Sequence, residues 1–367
     1  MEASSIGREG AKAGGPILVS GASNRTSLYT YALRVWEAFE GAATLLHLGM
    51  QSSPVHVHEP TDHIDLSGSA LGIPALDAVC NNLIPMTAFR GYRTAIERAL
   101  RAGLPVHYTS IDVPPLRPSR QSIVTIHDDP RAMFSPALYG NSVRYRAALW
   151  YRMLMYRKFE HIIVTSNHVK NRLIEYGVEG SIEVIYPCTP PALVPMPRES
   201  LRSGLGLPEQ KTLVLSISDA QPRKNLRVVK ELITRLDSSM AVVRVGPPLG
   251  GAINLGRLSF DSLARVFNAC DILLQPSLEE GFGSPVAEAF AVGLPVVASD
   301  IDVMREVSGG AAMLVDPRDP DGILRAIRTM LENHETYREQ SLRRGRDFAP
   351  ERFYDQIRHY FARVSAG

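Results

Sequence analysis

Ser277-Leu-Glu-Glu-Gly-Phe-Gly-Ser-Pro-Val-Ala-Glu-Ala-Phe-Ala-Val-Gly-Leu-Pro-Val-Val-Ala-Ser-Asp300 decides the fold. The apolar run Ile272–Ser277 before it reads as a buried strand ending at Ser277. A loop then holds Gly281 and Gly283. Ser284 as N-cap and Pro285 at the first helical position start a helix that Gly293 closes, and Leu294–Ser299 is the next strand. Strand, loop, helix and strand at this spacing form one parallel βαβ unit. The loop amides and the positive end of the helix make an anion site, and two glycines let a phosphate or sugar approach the backbone. Glu280 lies just before the loop and Glu288 one turn into the helix, so both carboxylates border the same ligand. Carboxylates accept hydrogen bonds from vicinal hydroxyls, which suits ribose or hexose.

The same alternation runs outward in both directions. Downstream of residue 200, strands are expected at Thr212–Asp219, Ala241–Gly246, Ile272–Ser277, Leu294–Ser299 and Ala311–Asp316. Helices are expected near Asn225–Leu236, Phe260–Ala269, Pro285–Ala291 and Asp321–Glu332. Upstream, strands are expected at Pro16–Gly21, Thr44–Gly49, Val106–Ser110, Ser122–Asp128, His161–Ser166 and Ile182–Pro187. A helix over Asn167–Tyr176 has Ser166 as cap and Gly177 just past its end. Between them lies a proline-rich stretch with no strand pattern. The expected organisation is a loose tail over 1–15, a Rossmann-like domain over 16–188, a linker over 189–200, a second Rossmann-like domain over 201–350, and a terminal helix over 351–367 returning to the first domain. Two doubly wound α/β domains of this kind leave a cleft between the carboxyl ends of their sheets, where such folds bind ligands.

Composition bounds the rest. A chain of 367 residues with 45% hydrophobic and 21% charged residues is an ordinary globular chain of two-domain size, not a disordered or fibrous one. Cys80, Cys188 and Cys270 are too few and too far apart for a zinc site or a disulfide framework, which fits a reducing compartment and a cytoplasmic location. No apolar run reaches the length of a membrane span, so membrane contact is expected to be peripheral, at the inner face of the cell membrane. The net charge of +2 hides a local excess. From Ala88 to Lys158 twelve basic residues face four acidic ones, which points to an anionic partner on one face. In 88–101 and 143–158 arginines and aromatics interleave on amphipathic stretches suited to an anionic membrane surface. No nucleic-acid recognition module is present, so nucleic acid is not an expected partner.

Glu280 and Glu288 in EGFGSPVAE form an E-x7-E motif. With Pro222-Arg-Lys-Asn225, GLPVVASD and REVSGGAAMLVDP downstream, and VTIHDD (Val124–Asp129) and HIIVTSNHVKNRLIEYGV (His161–Val178) upstream, the chain resembles the retaining nucleotide-sugar glycosyltransferases of family 4. The resemblance covers most of Ser122 to Asp347. It implies the GT-B fold, two Rossmann-like domains facing a cleft, and hexosyl transfer to a glycan or lipid-linked hydroxyl in polysaccharide assembly. By that resemblance Glu288 holds the nucleotide ribose and Glu280 the hydroxyls of the transferred sugar. The backbone of Gly281, Phe282, Gly283 and Ser284 touches sugar and phosphate, Arg223 and Lys224 neutralise the diphosphate, and His127 reaches the donor sugar from the other domain. Gly21 and Arg25 belong to the N-terminal loop that contacts the donor. PRKN with the downstream segment looks most like mannosyltransferase members, which favours GDP-mannose over a UDP-sugar.

The sequence departs from that pattern at three places. Ser218 and Asp219 stand where a Gly-Arg pair is usual, Gly21 is alone in a loop that is usually richer in glycine, and Val245–Gly256 is a short connection where a longer one is common. No cluster of Asp or His at ligand spacing lies near the phosphate site, so neither a metal nor another cofactor is expected. A GT-B epimerase or phosphorylase, and a nucleotide-sugar-binding scaffold without turnover, are the alternative readings.

Overall fold

In the computed structural model the described residues are 16–20, 27–40, 43–47, 64–65, 96–97, 100–109, 118–132, 135, 138, 140 and 143–366. The first sheet is built from β1 (Ile17–Ser20), β2 (Thr44–His47), β3 (Ile64–Asp65), β4 (Val106–Tyr108), β5 (Ser122–Ile126), β6 (His161–Val164) and β7 (Ser181–Val184). Its helices are α1 (Ser27–Glu37), α2 (Val143–Tyr156) and α3 (Asn167–Glu175). After a short α4 (Glu199–Gly204), the second sheet takes β8 (Thr212–Ile217), β9 (Met240–Val245), β10 (Ile253–Gly256), β11 (Ile272–Gln275), β12 (Val296–Ser299) and β13 (Ala312–Val315). Around it stand α5 (Leu226–Ile233), α6 (Phe260–Ala269), α7 (Ser284–Val292), α8 (Asp302–Ser308), α9 (Pro320–Glu332), α10 (His334–Gly345) and α11 (Pro350–Ala366).

Both sheets are parallel throughout, as βαβ alternation dictates. Their orders are β3-β2-β1-β4-β5-β6-β7 and β10-β9-β8-β11-β12-β13. The order reverses between β1 and β4 in one sheet and between β8 and β11 in the other, and a ligand crevice opens outside the carboxyl ends at such reversals. Strands of a sheet covered on both faces must be apolar on both, and β11 and β12 are buried at every residue. This is the two-domain GT-B architecture.

Two elements of the second sheet's surroundings have no clear signature in the sequence. β10 is an edge strand in the glycine- and proline-rich stretch Val245–Gly256, where Ile253-Asn-Leu-Gly256 is too short and too exposed to show alternation. α10 reads HETYREQSLRRG and buries only Ser341 and Gly345. Those two small residues, four apart, let it approach α7 closely: a Cβ on Gly345 would lie 2.6 Å from the carbonyl oxygen of Phe290. Helix α10 is therefore held by backbone proximity rather than by an apolar stripe.

The last helix, α11, packs on the first sheet's side of the molecule. Phe353, Ile357, Tyr360, Phe361 and Val364 join one buried cluster with Leu18, Tyr31 and Val35. The Phe353 ring meets Tyr31 edge to face at 5.6 Å, and Tyr354 Oη donates to the Glu37 carboxylate at 2.6 Å. Phe353 is 2% exposed, so Phe353→Ala is expected to lower the unfolding free energy by about 3–5 kcal/mol. Denaturant unfolding checks this; a change below about 0.5 kcal/mol would make α11 an appendage rather than part of the core.

Candidate functional site

The loop after β11 sits at the reversal point of the second sheet and meets the carboxyl end of β5 from the first. The two backbones nearly touch there. A Cβ added to Gly281 would lie 1.9 Å from the His127 carbonyl oxygen and 2.7 Å from the Asp128 Cα, so only glycine fits. Ser166 Oγ, which accepts from Val169 N as the cap of α3, also donates to the Gly281 carbonyl at 2.6 Å. Thr165 Oγ1 donates to the His127 carbonyl at 2.8 Å. A second contact across the cleft uses the same helix end: Glu306 of α8 accepts from the amides of Asn167 (2.6 Å) and His168 (3.0 Å) and from Tyr186 Oη (2.8 Å). A carboxylate there satisfies orphan amides and the positive end of the helix dipole.

Gly283, at φ 90°, is the residue that turns the chain into α7, and Ser284 is the first helical residue. The expectation that Ser284 caps the helix is corrected: no side chain caps it. A Cβ at Gly283 would meet Met304 at 2.6 Å, and Gly293 closes the helix at φ 77°. Among the described residues, the amides of Gly281, Phe282 and Gly283 have no acceptor in the protein, which leaves donors at this helix end. The Phe282 ring is turned away, 5% exposed, tilted against Tyr186 and edge-on to Phe348. Only its backbone faces the loop.

Glu280 is buried and its carboxylate is saturated. Oε1 accepts from Lys224 Nζ at 2.6 Å and from Gln275 Nε2 and Ser277 Oγ at 2.8 Å each, while Oε2 accepts from an Arg223 guanidinium nitrogen at 2.9 Å. Burial alone would raise this carboxyl, but the Lys224 and Arg223 cations outweigh it and hold it at about 2. Sequence reasoning assigns both cations to a diphosphate; here they are spent on Glu280. Two cations and one carboxylate leave a unit of positive charge, partly offset by Asp128, 3.8 Å from Arg223. Pro222–Lys224 form a 3₁₀ turn, and Asn225, in the left-handed region at φ 52°, ties it down by donating to the carbonyls of Pro276 and Pro317.

Arg244 is a residue that sequence reasoning missed. It is wholly buried on β9, where alternation gives no reason to expect a charge. Its guanidinium makes no direct ion pair among the described residues, with Asp219 acting on it only through space, and donates to the carbonyls of Ser216, Ser218 and Pro247 and to the hydroxyls of Ser216 and Ser218. A cation thus lies against Ser218, beside the place where the usual arginine is replaced by Asp219. Asp219 itself is exposed and caps the amide of Gln221 at 3.1 Å.

His127 is half-buried at the end of β5; its Nε2–H donates to the Thr109 carbonyl at 2.7 Å, and its ring meets Tyr31 edge to face at 4.7 Å. Glu288, one turn into α7, has no hydrogen-bond or ionic partner among the described residues, and burial pushes its carboxyl up to about 7. The structure therefore brings Glu280, Arg223, Lys224 and the Gly281–Ser284 backbone to one cleft wall, with His127 opposite. Gly21 and Arg25 lie outside the described residues.

Two protein-family models match this chain. "Glycosyltransferase Family 4" matches residues 105–193 and "Glycosyl transferases group 1" matches 221–333, together 202 of the 367 residues. The chain is 31% identical over 206 residues to a D-inositol 3-phosphate glycosyltransferase of Nocardioides sp., covering 46% of this chain and 45% of that protein. It is 30% identical over 151 residues to O-antigen chain mannosyltransferase B of Escherichia coli, covering 36% of this chain and 39% of that protein. The aligned part therefore spans less than half the length of either. In three dimensions it superposes on sucrose-phosphate synthase from Thermosynechococcus elongatus with a TM-score of 0.76 at 18% identity, covering 96% and 99% of the two chains, a likeness of fold.

An acid whose folded value is raised contributes stability below its ordinary value that is lost as pH rises through the folded one. For Glu288 the window runs from 4.5 to about 7. Glu288→Gln is expected to flatten the fall in stability across that window and to make the protein more stable than wild type at pH 8 by about 1–3 kcal/mol. Urea midpoints measured at several pH values check this; parallel wild-type and variant curves would contradict it.

Proposed function

We propose that this chain, matched by the Glycosyltransferase Family 4 model in its first half and by the Glycosyl transferases group 1 model in its second, moves a hexose from a nucleoside-diphosphate sugar to a hydroxyl of a glycan or lipid-linked acceptor. One observation carries the reading: Glu280, two cations and a row of open backbone amides meet at the reversal point of a parallel sheet, with Glu288 one turn into the helix that starts there. Mannose is the favoured sugar, because PRKN and the segment after the E-x7-E motif resemble mannosyltransferases, and an O-antigen mannosyltransferase is among the relatives.

The chemistry follows from charge. The bond between the sugar's anomeric carbon and the diphosphate breaks, and negative charge collects on the departing phosphate. Fixed amides at the start of α7 and the cations of Arg223 and Lys224 favour that charge more than the ground state. A diphosphate entering the cleft competes with Glu280 for the two cations, and the released carboxylate then accepts from sugar hydroxyls. In this reading the half-buried Glu288 accepts from a ribose 2′,3′-diol; the proton of a neutral carboxyl is no obstacle, since it can donate as well. The family resemblance implies retention of configuration by same-face displacement. The new bond forms from the acceptor oxygen to the anomeric carbon, and the acceptor proton passes to an oxygen of the leaving phosphate. Closure over the cleft keeps water from taking the acceptor's place.

A thermal-shift panel of GDP, UDP, ADP and their sugar conjugates tests the donor site on wild type and on Glu288→Ala. A ligand at about 100 times its dissociation constant stabilises the native state by about 2.7 kcal/mol. One nucleotide is expected to stabilise the wild type and to lose that effect in the variant, and free nucleotide should be released when acceptor is added. Binding without release would favour the scaffold reading, and no binding would overturn the donor site.

A further inference from the structure

Helix α2 turns an apolar stripe to solvent. Val143, Ala147, Trp150 and Leu154 repeat at three- and four-residue intervals, and Val143 is 81% exposed, Trp150 68% and Leu154 38%. Six large hydrophobic side chains are exposed among the described residues, and three of them lie on this one helix. The opposite side of the same segment is ordinary core: Met155, Tyr156 and Phe159 are buried, and Tyr156 and Phe159 join the cluster under β4, β5 and β6. Burying one face accounts for the helix. It does not account for the apolar residues on the other face, since a helix that only needs solubility places polar side chains there.

The charge around the stripe is of one sign. Residues 143–158 contain five basic residues and no acidic one. Arg146 lies within the stripe, and Arg157 and Lys158 follow at its end; all three are exposed. Arg157 is held in place by donating to the Tyr176 carbonyl at 2.7 Å. A tryptophan and aliphatic side chains flanked by cations on one helix face match the chemistry of the interface of a negatively charged bilayer, where indole sits at headgroup depth and each cation meets lipid phosphate. No helix among the described residues is long and apolar enough to cross a membrane, so the contact is a surface one.

We propose that the Val143, Arg146, Trp150 and Leu154 face of α2 docks this protein on an anionic lipid bilayer. The placement fits the proposed transfer to a lipid-linked acceptor, on which this inference rests for its purpose but not for its test. β5 ends at the cleft and β6 starts at the far end of the sheet, so α2 runs back between them, and its first turn, with Val143 and Arg146, is the end on the cleft side. A lipid-borne hydroxyl reaches the cleft from that end.

The test uses the full chain with no nucleotide present. Sedimentation is compared with vesicles of phosphatidylcholine alone and of equimolar phosphatidylcholine and phosphatidylglycerol, alongside tryptophan emission. The wild type is expected to sediment only with the anionic vesicles, with a blue shift that Trp150→Phe removes, because Trp36 is already committed to the Ala43 carbonyl. Arg146→Gln should lower the partition constant about fivefold, and Trp150→Ala by more. Salt at about 1 M should abolish binding by shortening the screening length to about 3 Å. Equal binding to both vesicle types, or none to either, overturns the proposal. So does a dimer in sedimentation equilibrium that Trp150→Glu dissociates while lipid binding is absent, since the face would then join two copies of the chain. Nucleotide binding by the same variants, measured in solution, should be unchanged, which separates a failure here from a failure of the donor site.

Discussion

The absence of a side chain at Gly281 is the constraint on which the site depends. At that residue the loop after β11 lies against the His127–Asp128 backbone with no space for a Cβ, and the Ser166 hydroxyl fixes its carbonyl from the other domain. Everything the cleft offers is measured from this contact. The adjacent residue, Glu280, turns inward to collect Lys224 and Arg223, and the chain two residues on turns through Gly283 into α7. Glu306 then closes the same joint from the side by capping α3.

The cluster around Glu280 is a buried ionic group of the kind that stabilises little but specifies much. Two charges removed from water repay their desolvation only when the hydrogen bonds are complete. Here Gln275 and Ser277 complete them. The arrangement keeps two cations at the mouth of a parallel sheet without a ligand, while Arg244 braces the carbonyls of Ser216 and Ser218 from beneath. Glu288 is the counterpart: a half-buried carboxyl with nothing paired to it among the described residues, which burial raises above its ordinary range.

Much of this was legible in the sequence because parallel βαβ units announce themselves. Strand runs buried on both faces, Ser166 as a cap, Gly293 as a stop and the E-x7-E spacing all have local causes that the residues reveal. What was not legible has a physical reason in each case. β10 is an edge strand with half-exposed residues, and α10 is held by Ser341 and Gly345 rather than by an apolar face. The pairing of Arg223 and Lys224 with Glu280 joins residues 56 and 57 positions apart through a fold, and Arg244 sits in a strand whose pattern called for an apolar residue. Capping of Ser284 failed because Gly283, with its positive φ, takes the cap position itself.

The most direct measurement is a crystal structure with a nucleoside diphosphate bound. The account predicts the diphosphate on the amides of residues 281–284, Arg223 and Lys224 turned from Glu280 toward it, and the ribose hydroxyls on Glu288. A nucleotide bound elsewhere, with Glu280 keeping both cations and Glu288 unpartnered, would contradict it.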